Sequence, residues 1–487
     1  MKRVGVGKLK TIGLVCWGDA LAVCLAYVAV VFLLTPGNTV LGFPVHHDDF
    51  TNLATDINLS LRRPRFVSYF ILSALSYLGP PVYYGCLHFL VLIYVFLTSF
   101  FIRFLFQAQE TSSYLLAFVF GAVFGVESVV EYGKYTGLIT NLLSATFAMS
   151  AICLLATTRQ RLKRLPWGAL ILACWLFAMS FWSKEDFVIP SILAVGYYVW
   201  EGRRTPEGGR RWMLLLCGVS FLAALLMWHV GRVQNPFVTQ VSVAYQAQFS
   251  PTSIGATALK YLSMSPVSVI AAVLQSFTLI GNVIAKSPLP WSGVLLINGM
   301  IAAMMLPYSC LPNHVAPYYN FIWVAWQLMA FLVALPRMAE RLSAKAVVVV
   351  CSVLCILAGM PGRVRVANWY SRAGSVNRNI LHTLKQSSSA LEPYGTIVVD
   401  GAPLLGPWYG TSGAFLERQG FRQRWIVRVP GQSEYYRSLI RLLGRAENGK
   451  ITTVPLEESV TPVDAPVLQL FPDGTGVFVF PGQLAGH

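Results

Sequence analysis

The first residues that could do chemistry are HHDDF at positions 46–50, where two histidines and two aspartates follow one another directly. Side chains of these types exchange protons, and carboxylates also bind cations. The segment comes just after an apolar run of roughly 24 residues that starts near Thr11. Its function therefore depends on the side of the bilayer that it faces and on what else faces that side.

Two later segments also combine ionisable groups with the ends of apolar runs. SKEDF (183–187) sets Lys184 beside two carboxylates at the end of one run. LPNHVAPYYN (311–320) places a histidine and two tyrosines just before another apolar run. The three segments can form one site only if the intervening spans place them on the same side of the membrane.

The composition indicates an integral membrane protein. Of 487 residues, 55% are hydrophobic and 12% are charged, against about 25% charged in an ordinary soluble domain. The mean hydropathy is +0.58. The formal net charge of +16 suggests nucleic acid at first, but basic residues of polytopic proteins collect in cytoplasmic loops, so we expect no nucleic-acid partner. All nine cysteines lie in or beside apolar runs, which indicates no disulfide framework.

Apolar windows predict about eleven transmembrane helices, since about 20 residues cross a bilayer. The windows are 11–34, 82–106, 113–130, 138–158, 167–183, 188–200, 213–233, 267–284, 292–310, 321–336 and 346–362. The first window is too long for a cleaved signal peptide and is interpreted as a retained span.

The distribution of basic residues predicts a cytoplasmic N-terminus. Alternation then places four basic clusters inside, as the positive-inside rule requires: the N-terminus, 159–164, 201–211 and 337–345. The segments predicted to face outward are HHDDF, 131–137, 183–187, 234–266, 311–320 and everything after Arg363. We expect a bacterial inner (plasma) membrane, because the chain carries no evident eukaryotic retention signal.

Two regions outside the spans have recognisable patterns. After HHDDF, apolar residues recur at helical spacing and predict two short interfacial helices, broken at Arg63 and Pro64. Beyond the last span, 375–386 predicts a short helix, 396–400 and 424–429 predict strands, and 466–480 predicts a hairpin of two strands around Asp473 and Gly474. The expected fold is mainly α, with a membrane domain over 1–362 and a small extracytoplasmic α+β domain over 363–487.

This order of parts resembles the membrane glycosyltransferases of the C-type (GT-C) fold, which take sugars from polyprenyl-phosphate carriers. The resemblance is carried by HHDDF, by RRPRFVSYFILSALSYLGPPVYYGCLHFLV (62–91), by SKEDF and by LPNHVAPYY (311–319). It covers the organisation of roughly the first 340 residues. It implies transfer of a hexose or pentose from a polyprenyl-phosphate donor to a glycan, lipid or protein acceptor at the extracytoplasmic face.

The resemblance also implies a general base in the first external loop. There an aspartate takes the proton of an acceptor hydroxyl as its oxygen attacks the anomeric carbon. Asp49 is favoured over Asp48, and the other aspartate would orient the acceptor or bind a divalent cation, since two adjacent carboxylates repel at one target. Some enzymes of this fold need a cation and others do not, so both alternatives stay open. A simpler explanation of Asp48 is that it caps an interfacial helix.

The implied leaving group is a lipid phosphate, whose charge needs cationic or hydrogen-bonding neighbours. The implied substrate-binding residues are Lys184, His314, Arg63, Arg65, Tyr318, Tyr319, Glu185, Arg232 and His47. Lys184 and His314 are the first choices, although Lys184 could instead snorkel from a helix end and His314 could be a solvated loop residue. Tyrosines also populate membrane interfaces without any ligand. Glu185 and Asp186 would orient Lys184 or join Asp48 at a cation.

Three other acidic residues have alternative explanations. Glu127 and Glu131, four residues apart beside Lys134, are predicted to share one helical face at the outer end of the third span. There they would form either a wall of the acceptor site or an ion-paired helix end. Asp19 lies within the first span, where acids are costly and often functional. Its position near the cytoplasmic edge makes access to water a sufficient explanation.

Two other functions fit the same topology. A transporter or flippase of lipid-linked sugar would line the membrane midplane with paired polar groups or broken helices, and few charged residues lie at mid-span. A ligase or polymerase of lipid-linked glycans usually relies on a large external loop late in the chain, whereas the loop at 311–320 is short.

Overall fold

The computed structural model describes residues 6–35, 65–108, 111–134, 138–162, 165–202, 206–232, 247–284, 289–339, 342–401, 414–429, 451–455 and 464–481. The predictions for HHDDF, for Arg63 and for the first interfacial helix lie outside these residues.

The described chain is mainly helical. Its helices are α1 (Val6–Tyr27), α2 (Phe66–Ser76), α3 (Pro80–Leu105), α4 (Ser113–Phe124), α5 (Val129–Lys134), α6 (Ile139–Leu162), α7 (Trp167–Ser183), α8 (Val188–Gly202), α9 (Pro206–Arg232), α10 (Pro251–Ser263), α11 (Pro266–Ile284), α12 (Trp291–Ser309), α13 (Asn320–Ala339), α14 (Leu342–Gln386), α15 (Ser388–Leu391) and α16 (Ala414–Arg418). A π-helical stretch over Val28–Leu33 continues α1, and short 3-10 helices cover Glu185–Phe187 and Pro317–Tyr319.

Each predicted apolar window holds one of these helices; only α2, α5, α10, α15 and α16 fall outside the windows. Seven helices in the described part of the chain are long and apolar enough to cross a membrane, and shorter apolar helices accompany them. The chain is therefore a polytopic integral membrane protein. Helix α2 lies where the second of the two short helices was predicted, and its position at the membrane interface stays a prediction.

The third predicted span is shorter than expected, because α4 ends at Phe124 and a bend at Gly125 precedes α5. A Cβ atom at Gly125 would lie 2.8 Å from the carbonyl oxygen of Ala122 and 3.2 Å from that of Cys355 on α14. Glycine thus allows the bend and the close approach of α14. Glu127 lies in the bend and Glu131 in α5, so the prediction that both share one helical face is wrong.

The prediction of separate helices at 346–362 and 375–386 is also wrong, because α14 runs without a break from Leu342 to Gln386. Pro361 lies inside it and removes one backbone hydrogen bond, which packed membrane helices tolerate. The buried Arg363 side chain, two residues later, donates to the carbonyl oxygen of Phe124 at 2.9 Å. The expected domain boundary after residue 362 falls within this helix.

A buried ion pair joins α1 to α3. Arg103 Nη1 lies 2.5 Å from Asp19 Oδ2, and both side chains are less than a tenth exposed. The explanation of Asp19 by access to water is therefore wrong, and its charge is compensated by a neighbouring helix instead. Arg103 Nε also donates to the carbonyl oxygen of Ala108 at 3.3 Å, which fixes the turn after α3.

We expect Asp19→Asn to lower the free energy of unfolding by about 3 to 5 kcal/mol, because it leaves the Arg103 guanidinium buried without its counter-charge. Thermal unfolding of the purified protein in detergent measures this effect. The double variant Asp19→Asn with Arg103→Met should recover most of the loss, since neither charge then remains. Equal unfolding temperatures for the wild type and the single variant would contradict a structural role for the pair.

Side-chain amides connect three helices near their middles. Gln327 of α13 donates to Gln275 of α11 at 2.6 Å, and Gln275 donates to Asn298 of α12 at 2.5 Å. Interhelical hydrogen bonds of neutral groups are typical of helix association in lipid, where each contributes about 0.6 to 2 kcal/mol. These groups explain how α11, α12 and α13 hold together.

The C-terminal residues form a small five-stranded sheet in the order β3-β2-β1-β4-β5. Its strands are β1 (Thr396–Asp400), β2 (Arg424–Val429), β3 (Ile451–Pro455), β4 (Val467–Leu470) and β5 (Gly476–Val479). The pairings β1 with β2, β2 with β3 and β1 with β4 are parallel, and β4 with β5 is the predicted antiparallel hairpin. Strand β3 was not predicted.

The sheet packs on the end of α14. Ile380, Leu381 and Leu384 of that helix share one apolar core with residues of β1, β2 and β4. Asn379 of the same helix also donates to the carbonyl oxygen of Asp473 in the hairpin turn at 2.8 Å. The long helix thus carries the C-terminal domain on one end of the helix bundle.

Candidate functional site

A group of buried polar side chains lies around Lys184, in the connection between α7 and α8. Lys184 ends α7 in an extended conformation, and Glu185–Phe187 form a 3-10 turn before α8 starts. Its backbone N–H donates to Ser180, and its carbonyl oxygen accepts from the Ser144 hydroxyl of α6 at 2.8 Å. Both backbone groups are therefore fixed, which orients the side chain.

The Lys184 ammonium contacts two polar side chains, and a third side chain holds both of them in place. Its Nζ lies 3.1 Å from Asp186 Oδ2 and donates to the Tyr308 hydroxyl of α12 at 3.3 Å. Tyr308 in turn donates to Asp186, and Asn141 of α6 donates to Asp186 at 2.8 Å and to Tyr308 at 2.9 Å. Lys184 is 6% exposed and Asp186 7%. We call Asn141, Lys184, Asp186 and Tyr308 the lysine cluster.

Aromatic rings form one wall of the lysine cluster. Lys184 Nζ lies 4.9 Å from the centre of the Tyr319 ring and 5.4 Å from that of Tyr308. The Tyr318 and His314 rings lie 4.5 and 6.1 Å from the Tyr319 ring. The segment 311–320 thus brings its histidine and both tyrosines to Lys184, and the ring faces stabilise the cation.

A second ion pair lies beside the cluster. Arg65, at the start of α2, donates from Nε to Glu185 Oε2 at 3.0 Å and from Nη2 to Glu185 Oε1, a bidentate pair. The two side chains are 35% and 42% exposed, so this pair is far more accessible than Lys184 with Asp186. Glu185 therefore pairs with Arg65, and Asp186 is the carboxylate that contacts Lys184.

Burial and neighbouring charges set the ionisation of the cluster. Burial lowers the pKa of the Lys184 ammonium, Asp186 opposes this shift, and Arg65 adds to it. Burial and then Lys184 lower the pKa of His314, so its imidazole is neutral at neutral pH and can still donate one hydrogen bond. For Glu185, burial raises the pKa but Arg65 overcomes this and brings it to about 2.

The remaining predicted residues are not placed at the cluster. Asp48, Asp49, His47 and Arg63 lie outside the described residues. Arg232 is the last residue of α9, and its side chain is likewise outside the described part. Among the described residues, no group of three or more His, Cys, Asp or Glu side chains is arranged to hold a metal ion.

Sequence reasoning missed two members of the cluster. Asn141 and Tyr308 are single polar residues near the ends of long apolar runs, where such residues usually serve helix packing or the membrane interface. Each lies within one turn of the end of its helix, and both helix ends face SKEDF. The role of the two residues therefore becomes visible only when the packing of these helices is known. Tyr132 of α5 is also buried, and its hydroxyl has no hydrogen-bond partner among the described residues.

Glu131 provides a further titratable group at this end of the bundle. Burial raises its pKa to about 8, and Glu127 adds to the shift. Burial also raises the pKa of Glu127, while Arg365 and Arg363 oppose that change. Glu131 can therefore gain or lose a proton close to neutral pH, as acid–base groups do. The arginines thus affect the ionisation of Glu127 and not that of Glu131, and the prediction of an ion-paired helix end stays a prediction.

The C-terminal domain lies at the same end as the lysine cluster. Arg418 of α16 lies over the Tyr77 ring at the end of α2, with its guanidinium carbon 5.3 Å from the ring centre. Helix α2 in turn contacts the end of α7, where the Ser68 hydroxyl donates to the carbonyl oxygen of Ser183 at 2.9 Å. The lysine cluster, Arg65 and the C-terminal domain therefore share one face of the protein.

The site presents cationic hydrogen-bond donors of the kind that bind anions. Among the described residues, Asp186 and Tyr308 engage two of the three N–H groups of Lys184, which leaves the third for an acceptor such as a phosphate oxygen. Arg65 offers a second cation at a more exposed position. The tyrosine rings add flat apolar surface of the kind that packs against a sugar or an isoprenoid chain.

Comparison with known proteins identifies the fold. No family model and no curated protein matches the sequence. The crystal structure of ArnT from Cupriavidus metallidurans bound to undecaprenyl phosphate matches with a TM-score of 0.51, over 95% of this chain and 93% of that chain. Sequence identity is 13%. The similarity confirms the predicted GT-C fold of the chain.

Proposed function

We propose that this protein is an integral membrane glycosyltransferase that moves a sugar from a polyprenyl-phosphate donor to an acceptor at the extracytoplasmic face. The observation that carries the proposal is the buried Lys184 ammonium, held by Asp186 and Tyr308 beneath the Tyr319 ring. The structural neighbour ArnT, which has the same fold, was crystallised with undecaprenyl phosphate.

In this proposal Lys184 stabilises the charge that develops on the phosphate as the sugar leaves. Its free N–H would contact a phosphate oxygen, where a fixed donor acts more strongly than in water. His314 would donate a hydrogen bond from its neutral ring, and Arg65, with Arg63 in the same loop, would add positive charge. Asp186 and Glu185 already balance the positive charges of Lys184 and Arg65. Because the site therefore has no excess positive charge that would retain the lipid phosphate, this product would be released after transfer.

The acceptor would be activated by the first external loop. Asp49, or Asp48, would take the proton of the acceptor hydroxyl as it attacks the anomeric carbon. The C-terminal domain lies on the same face as Lys184 and would contact the acceptor. We propose that this face is extracytoplasmic, with the N-terminus in the cytoplasm of a bacterial inner membrane. The donor sugar would be a hexose or a pentose.

The protonation of Lys184 predicts the pH dependence of donor binding. Since burial lowers the pKa of this ammonium, affinity for the donor should fall as pH rises through that lowered value. Glu185 stays ionised and His314 neutral over the same range, so neither contributes to the fall. Lys184→Arg should bind at higher pH than the wild type, because a guanidinium stays charged. Donor affinity measured from neutral to alkaline pH tests this; identical profiles would contradict it.

The function itself is tested by incubating the purified protein with a panel of polyprenyl-phosphate sugars. A glycosyltransferase should release free polyprenyl phosphate from one donor, with the sugar appearing on water or on an added acceptor. A transporter or flippase would leave every donor intact in this assay. A ligase or polymerase would use only donors that carry an assembled glycan. If the folded, purified protein cleaves none of the donors in the panel, the proposal is refuted.

A further inference from the structure

A polar cavity lies at the end of the helix bundle opposite the lysine cluster. It encloses about 810 Å³ and is lined by the ends of several helices that also reach the lysine cluster. Helix α12 carries Ser292 at this cavity and Tyr308 at the cluster, a separation of about 24 Å at 1.5 Å per residue. Helices α6 and α13 span the same two ends, with Arg159 and Arg337 at this cavity. The cavity is therefore separate from the proposed active site.

Basic residues dominate the charge of this cavity. Arg159, Arg337 and Lys345 line it, against one acidic residue, Glu201. Arg159 Nε lies 3.0 Å from Glu201 Oε2, and Glu201 Oε1 accepts from the Tyr197 hydroxyl at 2.8 Å. This network compensates Arg159 but neither of the other two cations. Within the described residues Arg337 and Lys345 have no carboxylate partner, so they leave the cavity with excess positive charge.

The rest of the lining combines polar donors with apolar surface. Ser292, Thr111 and Gln107 supply hydroxyl and amide groups, and Phe104, Leu115 and Val333 supply apolar walls. Gln107 adopts a positive φ of 53°, which is uncommon for a residue other than glycine. A soluble anion would use only the charged part of this lining. A phospholipid would use both, since its charged phosphate is joined to apolar acyl chains.

We propose that this cavity binds the phosphate headgroup of an anionic phospholipid from the adjoining leaflet. Its volume falls within the range of about 300 to 1,000 Å³ typical of small-molecule sites. Basic pockets between transmembrane helices recognise anionic lipid headgroups through unpaired Arg and Lys side chains. Arg337 and Lys345 contact the phosphate, and the apolar wall receives the start of the acyl chains. The bound lipid connects α13 and α14 to α6 and α8, and the proposal is independent of sugar transfer.

Native mass spectrometry of the purified protein, titrated with phosphatidylglycerol or with phosphatidylcholine of the same chains, tests the proposal. The wild type should bind one phosphatidylglycerol in preference to phosphatidylcholine. Arg337→Ala with Lys345→Ala should weaken that binding by roughly thirtyfold, since each basic residue near an anionic lipid contributes roughly fivefold. A matched control, Lys260→Ala with Lys385→Ala, removes two exposed lysines elsewhere and should leave binding unchanged.

Three results would overturn the proposal. Equal phosphatidylglycerol binding by the wild type and the cavity variant would show that Arg337 and Lys345 do not hold the headgroup. Equal binding of phosphatidylglycerol and phosphatidylcholine would show that charge is not recognised. Displacement of the lipid by inorganic phosphate at the same concentration would identify a soluble anion as the ligand. Thermal unfolding of both double variants verifies that each is folded before titration.

Discussion

Lys184→Ala is expected to lower the rate of sugar transfer by roughly a hundredfold to a thousandfold, the loss seen when one fixed donor to a developing negative charge is removed. The ammonium is buried, its position is set by Asp186 and Tyr308, and a third N–H is available for the phosphate. Transfer from a saturating polyprenyl-phosphate sugar measures the chemical step, and titration of the donor measures its binding.

A structural role for Lys184 must be separated from a role in the reaction. Lys184→Ala alone leaves Asp186 buried without its counter-charge, which costs about 3 to 5 kcal/mol of stability. Lys184→Met with Asp186→Asn removes both charges and should recover the unfolding temperature. If Lys184 acts on the donor phosphate, this double variant stays inactive although it is stable. Recovery of transfer by the double variant would show that the lysine only neutralises Asp186.

Asp48→Asn with Asp49→Asn is expected to reduce transfer by roughly a hundredfold to ten-thousandfold, the usual contribution of a general base. Asparagine keeps the shape of the side chain but cannot accept the acceptor's proton. Membrane insertion and thermal unfolding should match the wild type. The donor should still bind, because the phosphate contacts are supplied by other residues.

Asp56→Asn provides a matched control for the acidic pair, since it removes one carboxylate from the same segment between the first two predicted spans. It should transfer sugar at the wild-type rate. The single variants Asp48→Asn and Asp49→Asn then identify the base, and we expect the larger loss for Asp49. Wild-type transfer by the double variant would remove both aspartates from the mechanism.

The spans could be predicted from the sequence because lipid imposes a strong local rule. A segment that crosses the bilayer must be long, apolar and helical, and each such window here holds a helix. Breaks within helices were predicted less well. The apolar pattern predicted that the last span ends at residue 362, yet α14 continues to Gln386 because packed neighbours tolerate Pro361 in a membrane helix.

The candidate site could be predicted only in part. Charged residues at the ends of apolar runs, such as Lys184 and Glu185, can be identified easily because 12% of all residues are charged. Asn141 and Tyr308 do not stand out, since their importance comes from helices that pair across more than a hundred residues of sequence. Glu185 pairs with Arg65, and Asp186 pairs with Lys184. These partners likewise depend on the folded geometry, because two adjacent carboxylates in a sequence do not show which cation each of them contacts.

The central claim is that the lysine cluster holds the phosphate of a lipid-linked donor. The most direct measurement is the dissociation constant of a short-chain polyprenyl phosphate for the wild type, for Lys184→Met with Asp186→Asn, and for Arg337→Ala with Lys345→Ala. We expect roughly tenfold or more weaker binding for the first double variant, since a hydrogen bond to a charged group contributes about 1.5 to 3 kcal/mol. We expect unchanged binding for the second. Wild-type affinity after loss of Lys184 and Asp186, or loss of affinity only when Arg337 and Lys345 are removed, would contradict this claim.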